Sequence, residues 1–426
     1  MNEFEIPLNI LYKVIYQNQK SNEEINLYAK KTDNLPFATK IIYGVLENKL
    51  YLDYMIRKLS NIRLKKINPK ILIILEMGVY NIHFLEKKDY AVVNELVNLT
   101  KSVDKRSKGF VNAILRNFIR DEKEISTIYE RDDIKALSIR YSLPVELTDY
   151  IYQNYGMDYT KKFLRYINSE QVISIRVNNL KTNKEELTEK LKALGYQIED
   201  GIISKNALRV LNPAGLAESI DFKNGLFTIQ QESSMKTIEV LDPKKGAKIL
   251  DLCAAPGTKT SYIGEYIEND GKIIANDLLE QKLPLIKENI DRLGLNNIEL
   301  RSFDATILQD KYIDAFDYVL VDAPCSGLGV MGRKAEIRYN RSIEDIKILA
   351  KLQRDILANA VKYLKTGGKI LYSTCTIGNI ENKANFEYLR AMNDLELIPI
   401  DGKDYIEYVN FEDETEGFFI SKFKKK

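Results

Sequence analysis

The stretch "LDLCAAPGTKT" (Leu250–Thr260) decides the fold of the C-terminal half of this chain. An apolar run leads into Asp251, a turn of small residues follows, and a helical pattern begins after the turn. This is the strand–turn–helix at which a Rossmann-like sheet binds a nucleotide. The turn contains a single glycine, Gly257, whereas the loop that binds the pyrophosphate of a dinucleotide contains three. The sequence therefore predicts a nucleoside-type ligand without a pyrophosphate.

The composition is that of a soluble globular protein: of 426 residues, 45% are hydrophobic and 29% are charged. The N-terminus "MNEFEIPLNI" is acidic and lacks the basic leader and apolar run of a signal peptide. The most apolar stretch, Ile71–Leu85, contains Glu76 and is shorter than the roughly 20 residues that span a bilayer, so it predicts a buried helix. Three cysteines cannot form a disulfide framework. We therefore expect a cytoplasmic protein that does not bind a membrane.

The charge is distributed unevenly along the chain. Residues 1–120 contain 20 Lys and Arg against 12 Asp and Glu, a local net charge of +8, whereas the whole chain has a net charge of +2. Basic residues cluster within residues 63–70 and 101–108. Solvated helix faces are the simpler explanation of such clusters. Binding of RNA phosphates through counterion release is the alternative.

Four regions differ in their residue patterns. Residues 1–125 show helical spacing with almost no strand pattern, and residues 126–168 continue as a helical connector. Residues 169–240 contain a β-rich run, an amphipathic helix and further short strands, which predict a small α+β unit. Residues 241–426 alternate between strands and helices. The fold class expected for this last region is therefore α/β, a Rossmann-like parallel sheet with helices on both faces.

The predicted strands of the last region end in polar or reactive residues. Ligands of an open α/β sheet bind outside the carboxyl ends of its strands. The residues at or just beyond these ends are Asp251, Asp277, Asp304, Asp322, Cys325 and Cys375. Four acids and two thiols at one edge of a sheet indicate a chemical site, although a strand-to-helix turn taken alone is common.

The spacing of Asp277 indicates the ligand. It lies 20 residues after Gly257, close to the spacing at which an acid binds ribose hydroxyls. A ligand with ribose and adenine but no phosphate fits this turn better than a dinucleotide does. The expected ligand of this kind is S-adenosylmethionine, whose carboxylate Lys259 could neutralise. The residues expected to bind it are Cys253, Ala254, Ala255, Pro256, Gly257, Thr258, Lys259, Asp277, Asp304 and Asp322. No His or Cys spacing suits zinc, so no metal is expected.

Several motifs resemble those of a known family. "DLCAAPGTKT", "DAPCSGLG" and "STCT" together resemble the motifs of RNA cytosine-C5 methyltransferases of the NOL1/NOP2/Sun family, and "GLFTIQQESS" and "EGFFISKF" extend the resemblance. Nearer the N-terminus, "VVNELVNLTKS" and "KGFVNAILRNF" resemble the NusB-like domain of the bacterial Sun/RsmB branch, which modifies 16S (small-subunit) ribosomal RNA. The chain departs from the family at Thr258, where a second glycine is usual.

The resemblance implies roles for the rim residues. C5 of cytosine is a poor nucleophile, so a thiolate first adds to C6, and the resulting covalent intermediate attacks the methyl group. Spacing does not say which cysteine attacks. The resemblance assigns attack to Cys375, in the Thr-Cys motif, and release to Cys325, in the Pro-Cys motif. DNA cytosine methyltransferases instead attack with the cysteine of the Pro-Cys motif. It also implies that Asp322 binds N3 of the base, that Lys259 helps to position or activate the site, and that Asp304 contacts the adenine.

The accessory regions are expected to bind the RNA, because a base is modified when it is single-stranded or flipped out of a stack. The basic N-terminal domain and the α+β unit, with Arg176 and Asn178 in "SIRVNN", would contact the RNA backbone. The expected partner is 16S ribosomal RNA, free or in an early small-subunit particle, and the expected state is a monomer. Two alternatives stay open. One is the same chemistry on transfer RNA or another RNA, and the other is an inactive RNA-binding scaffold.

Overall fold

The structure, a computed structural model, describes residues 2–28, 34–86 and 90–426. The chain divides into two compact units. The first comprises Met1–Ser169 and Met331–Ile343, and the second comprises Glu170–Val330 and Glu344–Lys426. The bounds of the four domains expected from the sequence stay predictions.

The first unit is helical, as expected. Its helices are α1 (Glu5–Gln17), α2 (Ser21–Tyr28), α3 (Leu35–Leu59), α4 (Pro69–His83), α5 (Tyr90–Val103), α6 (Lys108–Ser126), α7 (Asp133–Tyr141) and α8 (Val145–Tyr166). Asn68 caps α4 by accepting a hydrogen bond from the Lys70 N–H, and every residue from Ile71 to Ile82 is buried. This confirms the buried helix predicted for that stretch. In the described part of the chain, no helix is long and apolar enough to cross a membrane.

The segment Met331–Ile343 packs within the helical unit although its sequence interrupts the second unit. Its Arg338 is fully buried, and the guanidinium donates to main-chain carbonyls that include those of Ile167 (2.8 Å) and Glu47 (3.0 Å). Ser21 donates to Glu336 of the same segment at 3.1 Å. Buried polar groups need such partners, so these bonds fix the segment to the unit.

A small antiparallel sheet begins the second unit. Its strands are β1 (Ile173–Val177), β2 (Ile198–Asp200), β3 (Ala207–Val210) and β4 (Phe227–Ile229), in the order β2-β3-β1-β4. The accompanying helices are α9 (Lys184–Ala193) and α10 (Ile220–Lys223). Leu187 and Leu191 of α9 pack on Ile175 and Val177 of β1 in one apolar core. The predicted α+β unit is confirmed.

An eight-stranded sheet forms the rest of the second unit. Its strands are β5 (Lys248–Asp251), β6 (Lys272–Asn276), β7 (Ile298–Arg301), β8 (Phe316–Asp322), β9 (Leu364–Thr374), β10 (Leu395–Leu397), β11 (Ile406–Tyr408) and β12 (Phe418–Lys425). The helices of this region are α11 (Glu232–Leu241), α12 (Thr258–Tyr266), α13 (Leu283–Leu293), α14 (Ile343–Tyr363) and α15 (Lys383–Arg390). The order of the strands is β10-β12-β9-β8-β5-β6-β7, with β11 paired to β12.

The strands from β5 to β9 pair in parallel, which confirms the Rossmann-like prediction. The sheet as a whole is mixed, because β12 returns antiparallel beside β9 and carries β10 and β11. Neighbouring residues of each parallel strand point to opposite faces: Leu250 packs in one core and Ile249 in another. Both faces are therefore covered, as in other parallel sheets.

Candidate active site

A cavity of about 380 Å³ lies at the carboxyl ends of the parallel strands. It collects rim residues from five strands that are far apart in sequence. The predicted site residues that line it are Cys253, Ala255, Asp277, Asp304, Asp322, Cys325 and Cys375. Apolar side chains complete the wall, among them Leu278, Phe303, Leu352 and Ile356. A mixed apolar and acidic cleft of this kind suits a nucleoside.

Asp251 orders the turn after β5. Its carboxylate accepts hydrogen bonds from the Thr260 hydroxyl at 2.6 Å and from the Cys253 N–H at 3.4 Å. Burial raises the pKa of Asp251 to about 7, against the lowering effect of the Thr260 hydrogen bond. The side chain is 1% exposed and does not line the cavity. Its contacts are therefore those of a structural residue of the loop.

The turn after β5 ends at Gly257, and helix α12 begins at Thr258. Gly257 caps α12 with a φ of 99°, a left-handed conformation that L side chains rarely adopt, and a Cβ there would lie 3.0 Å from Ile286. Thr258 is the first residue of α12 and has no positive φ. The position of the family's second glycine is therefore helical here, which a threonine tolerates.

The acids that follow β6 and β7 both face the cavity. Asp277 accepts hydrogen bonds from the N–H groups of Ala255 (3.2 Å) and Leu279 (3.0 Å), so it joins the turn to the second strand end. Asp304 accepts from the N–H and the hydroxyl of Thr306, at 2.9 and 2.7 Å. A carboxylate has about four acceptor sites, so both groups keep capacity for a ligand.

Asn276, at the end of β6, is a site residue that the sequence analysis missed. Its amide donates to the carbonyls of Leu252 (3.0 Å) and Phe303 (3.1 Å), and its carbonyl oxygen accepts from the Phe303 N–H (2.9 Å). The side chain is fully buried and lies at the cavity wall. It ties together the ends of three strands, and the only signal for it in the sequence is its place beside Asp277.

The two rim cysteines are in contact. The Sγ atoms of Cys325 and Cys375 lie 3.3 Å apart, and both side chains are half-buried in the cavity wall. The adjacent Cys375 thiol and burial together raise the pKa of Cys325 well above its ordinary value. Cys325 is therefore a neutral thiol at neutral pH. Burial also raises the pKa of Cys253, which keeps that thiol unreactive.

Lys259 and Asp322 form an ion pair beside the cysteines, with 2.8 Å between Nζ and Oδ2. Ser373 of β9 donates to the other oxygen of Asp322, also at 2.8 Å. Burial works to lower the pKa of Lys259, but the Asp322 carboxylate outweighs it and the pKa is raised. Lys259 is therefore charged, and both oxygens of Asp322 are fixed in place.

Arg176 and Asn178 are buried, so the prediction that they contact RNA is wrong. Arg176 is 0% exposed and pairs with Glu265 through two hydrogen bonds of 2.8 and 3.0 Å. It also donates to the Thr258 carbonyl at 2.8 Å. Asn178 donates to the Leu293 carbonyl at 3.1 Å. These polar residues dock the small sheet onto the large one, a role that local sequence does not reveal.

The basic clusters of the helical unit are exposed. Arg63, Lys65 and Lys66 lie at the surface, as do Lys105 and Arg106. Exposure leaves both explanations open, solvated helix faces and contacts with phosphates. Within residues 2–28, 34–86 and 90–426, no group of three or more His, Cys, Asp or Glu side chains is arranged to hold a metal ion.

The regions of the chain match three known protein families. Residues 238–424 match the family described as "16S rRNA methyltransferase RsmB/F". Residues 2–120 match the NusB family. Residues 144–217 match the ferredoxin-like domain of the RsmF/B-like methyltransferases.

Curated proteins resemble the chain over most of its length. A probable ribosomal RNA small subunit methyltransferase B of Bacillus subtilis is 34% identical, with 89% of this chain and 86% of that protein covered. The ribosomal RNA small subunit methyltransferase B of Photorhabdus laumondii is 30% identical over 92% of this chain and 90% of that protein. A human protein named 28S rRNA (cytosine(4447)-C(5))-methyltransferase is 31% identical over 76% of this chain and 43% of its own length.

Two crystal structures share the fold. The structure of PH0851 has a TM-score of 0.83 and 26% identity, with 99% of this chain and 97% of that chain covered. The structure of NSun6 from Pyrococcus horikoshii with SFG has a TM-score of 0.61 and 26% identity, over 66% of this chain and 98% of that chain.

Proposed function

This chain belongs to the RsmB/F family of S-adenosylmethionine-dependent rRNA methyltransferases, and we propose that it methylates C5 of a cytosine in 16S ribosomal RNA through a covalent bond between Cys375 and C6. The observation that carries the proposal is the contact of two thiols, 3.3 Å apart, beside a half-buried lysine–aspartate pair. A methyltransferase that modifies an exocyclic nitrogen or a ribose oxygen forms no covalent bond to the base, so it needs no pair of thiols.

The cysteines divide the chemistry into two halves. In the first, the Cys375 thiolate forms a bond to C6, and the electron pair displaced from the C5=C6 double bond forms the new bond from C5 to the methyl group, whose bond to the donor sulfur would break with its electron pair staying on that sulfur. In the second, a base supplied by the solvent takes the proton of C5, the electron pair of that C–H bond re-forms the C5=C6 double bond, and the bond from C6 to Sγ breaks with its electron pair leaving on the Cys375 sulfur. Cys325 is assigned to the second half. Its Sγ contacts the leaving sulfur, and its raised pKa keeps a proton available at that point.

Asp322 and Lys259 hold the base during the addition. Addition at C6 places electron density on the base, so a fixed charged pair at its polar edge lowers the barrier. Asp322 is fixed by Lys259 and Ser373, each at 2.8 Å. The geometry suits an Asp322 carboxylate that accepts a hydrogen bond from the amino group and stabilises a proton at N3, with Lys259 providing the positive charge behind it.

The cavity fits the methyl donor. S-adenosylmethionine supplies the methyl group when it is bound. Asp277 is positioned to bind the ribose hydroxyls, and Asp304 follows the next strand at the place expected for the adenine. Leu278 and Phe303 offer apolar surface for the ring. The turn Cys253–Lys259 has the small residues that let the main chain approach the rest of the ligand.

The choice of RNA rests on the relatives. Those from Bacillus subtilis and Photorhabdus laumondii are named small-subunit methyltransferases, which favours 16S ribosomal RNA here. The human relative is named for 28S ribosomal RNA, and it supports the second candidate, the same reaction on another RNA. An inactive scaffold is disfavoured, because Cys325, Cys375 and Asp322 line one cavity and Lys259 pairs with Asp322.

Bisulfite sequencing of total RNA tests substrate and position together. RNA from a strain that lacks the gene is compared with RNA from the same strain supplied with the wild-type chain or with the Cys375→Ser variant. We expect one 16S cytosine that resists conversion only with the wild-type chain. Protection that appears in transfer RNA instead would select the second candidate, and no protected cytosine in any RNA would overturn the proposal.

A further inference from the structure

Glu381 is a buried carboxylate in the loop between β9 and α15, and neither the chemistry above nor the family motifs assign it a role. It is 0% exposed. One oxygen accepts hydrogen bonds from the Ser326 N–H at 2.9 Å and from the Gln353 amide at 3.0 Å, and the other accepts the Ser326 hydroxyl. Gln353 also donates to the Pro324 carbonyl at 2.9 Å. Glu381 thus binds both chain neighbours of Cys325, one of them through Gln353.

The same network reaches the residues around Cys375. The hydroxyls of Ser326 and Thr376 lie 2.6 Å apart, and the Leu328 N–H donates to Thr376 at 3.2 Å. The Gly329 N–H donates to the main-chain carbonyl of Cys375 at 3.2 Å. The loop after β8 and the loop after β9 are therefore bonded to each other on both sides of the thiol pair.

The charge of Glu381 sets the direction of these bonds. A hydroxyl has one proton, and an ionised carboxylate only accepts. Because Glu381 takes the proton of Ser326, Thr376 must donate to Ser326 and is left to accept from the Leu328 N–H. A neutral amide whose NH2 replaces the second oxygen would donate to the Ser326 hydroxyl, so that Ser326 would donate to Thr376 and the Thr376 proton would be left with the Ile377 carbonyl, 3.5 Å away. Hydrogen bonds to charged groups are also about twice as strong as neutral ones, so the carboxylate stabilises the arrangement most.

We propose that Glu381 is a positioning residue for the release step: it clamps the loop of Cys325 onto the loop of Cys375 and so keeps the two thiols in contact. The assignment of release to Cys325 rests on the function proposed above, whereas the clamp itself does not. Glu381 acts on the two loops through Ser326, Gln353 and Thr376, and its charge is also one of the influences that raise the pKa of Cys325.

The first test is independent of RNA. Dibromobimane becomes fluorescent when it bridges two nearby thiols, and both cysteines line an open cavity. We expect Glu381→Gln to slow the bridging of Cys325 to Cys375 about tenfold, the effect of losing charge-assisted hydrogen bonds. The matched control is Glu387→Gln, which removes an exposed carboxylate from the neighbouring helix α15. S-adenosylmethionine affinity and thermal unfolding report on the fold, and Thr376→Val tests the same clamp if Glu381→Gln does not fold.

The second test reads out the release step. With a labelled RNA on a denaturing gel, Glu381→Gln is expected to accumulate the protein–RNA adduct, as Cys325→Ala does, because attack through Cys375 persists while release is impaired. Glu387→Gln accumulates none. A general structural defect would lower methyl transfer without an adduct.

The outcomes separate the two proposals. Bridging at the wild-type rate in Glu381→Gln overturns the clamp, whatever the RNA assay shows. Slow bridging without an adduct, while Cys325→Ala does accumulate one, overturns the link from the clamp to release. If Cys325→Ala itself gives no adduct, the assignment of the cysteines fails, and the bridging rate alone decides whether Glu381 positions the thiols.

Discussion

The sulfur atoms of Cys325 and Cys375 lie 3.3 Å apart although 50 residues separate them in the chain. They meet because β8 and β9 are neighbouring parallel strands, with Asp322 paired to Ser373 at their ends. Carboxyl ends of parallel strands share one edge of a sheet, so the two reactive groups reach one base from adjacent loops. The contact does not by itself order the steps, but it makes the two thiols separable by substitution.

The cysteine variants should differ in the species that accumulates. Cys375→Ala is expected to abolish methyl transfer and to form no covalent RNA complex, because no other group in the site adds to C6. Cys325→Ala is expected to permit attack and methyl transfer but to stall before release. A labelled RNA on a denaturing gel distinguishes these outcomes.

Cys253→Ala is the matched control for both variants, since burial keeps that thiol unreactive. It should accumulate no covalent RNA complex, even where the loss of its side chain from the cavity wall lowers turnover. An adduct in Cys375→Ala together with none in Cys325→Ala would reverse the assignment and make the site similar to that of DNA cytosine methyltransferases.

Asp322→Asn should lower the single-turnover rate of methyl transfer about a hundredfold or more, the scale of losing one electrostatic contact to a transition state. It should also introduce a pH dependence. Without the carboxylate, burial is left as the main influence and lowers the pKa of Lys259. Activity of the variant should therefore fall as alkaline pH deprotonates Lys259, at a pH where the wild-type rate stays level. Parallel pH–rate profiles would contradict a role for the ion pair in catalysis.

The sequence predicted the strands and the residues at their ends well, because both depend on local patterns. An apolar run followed by Asp277 or Asp322 indicates a strand end whatever the rest of the chain does. The turn before α12 was equally predictable, since a glycine just before a helix indicates a left-handed position, as found at Gly257 with its φ of 99°.

The buried polar residues could not be predicted. Asn276, Gln353 and Glu381 are residue types that usually lie at surfaces, and their partners come from other strands. Arg176 was wrongly predicted to contact RNA for the same reason, since its partner Glu265 is 89 residues away in the sequence. The antiparallel strands β10, β11 and β12 were not predicted, and β10 and β11 are only three residues long.

Asp251 should make the stability of the fold depend on pH. Its folded-state pKa of about 7 lies above the unfolded value of roughly 3.9, so the folded state binds the extra proton. The contribution of Asp251 to the free energy of unfolding is therefore greatest at low pH. This contribution is lost as the pH rises from about 4 to about 7, and the loss is at most about 4 kcal/mol.

Asp251→Asn removes the titration while keeping the shape of the side chain. Urea unfolding at about pH 5 and about pH 8 should show a smaller fall in the free energy of unfolding for the variant than for the wild type. Asp401→Asn, at a carboxylate with 76% exposure, is the control. Equal falls in all three proteins would show that Asp251 titrates as an ordinary exposed acid.

Removing Arg176 should destabilise the fold and weaken cofactor binding together. Arg176→Met leaves Glu265 buried without its cation, a loss of about 3–5 kcal/mol, and frees the Thr258 carbonyl at the start of α12. The double variant Arg176→Met/Glu265→Gln should recover much of the stability but not the affinity for S-adenosylmethionine.

Urea unfolding and calorimetry measure the two effects separately. Arg209→Met is the comparison, because its partner Glu414 is 59% exposed and is solvated when left alone. Recovery of both stability and affinity in the double variant would mean that Arg176 affects the cofactor turn only through the general fold.

Neutralising the basic clusters of the helical unit should weaken RNA binding and flatten its dependence on salt. The substitutions to glutamine are made at Arg63, Lys65, Lys66, Lys105, Arg106 and Lys108, all of which are exposed. Each phosphate contact that is lost should reduce the slope of log K against log salt by roughly 0.7 to 0.9. Affinity for S-adenosylmethionine should not change, because every residue that lines the cofactor cavity belongs to the other unit.

The control for the cluster variant replaces exposed lysines of that other unit, Lys190, Lys245 and Lys287. An unchanged salt slope in the cluster variant would identify these lysines and arginines as solvated helix faces, and the RNA would then have to bind elsewhere on the chain.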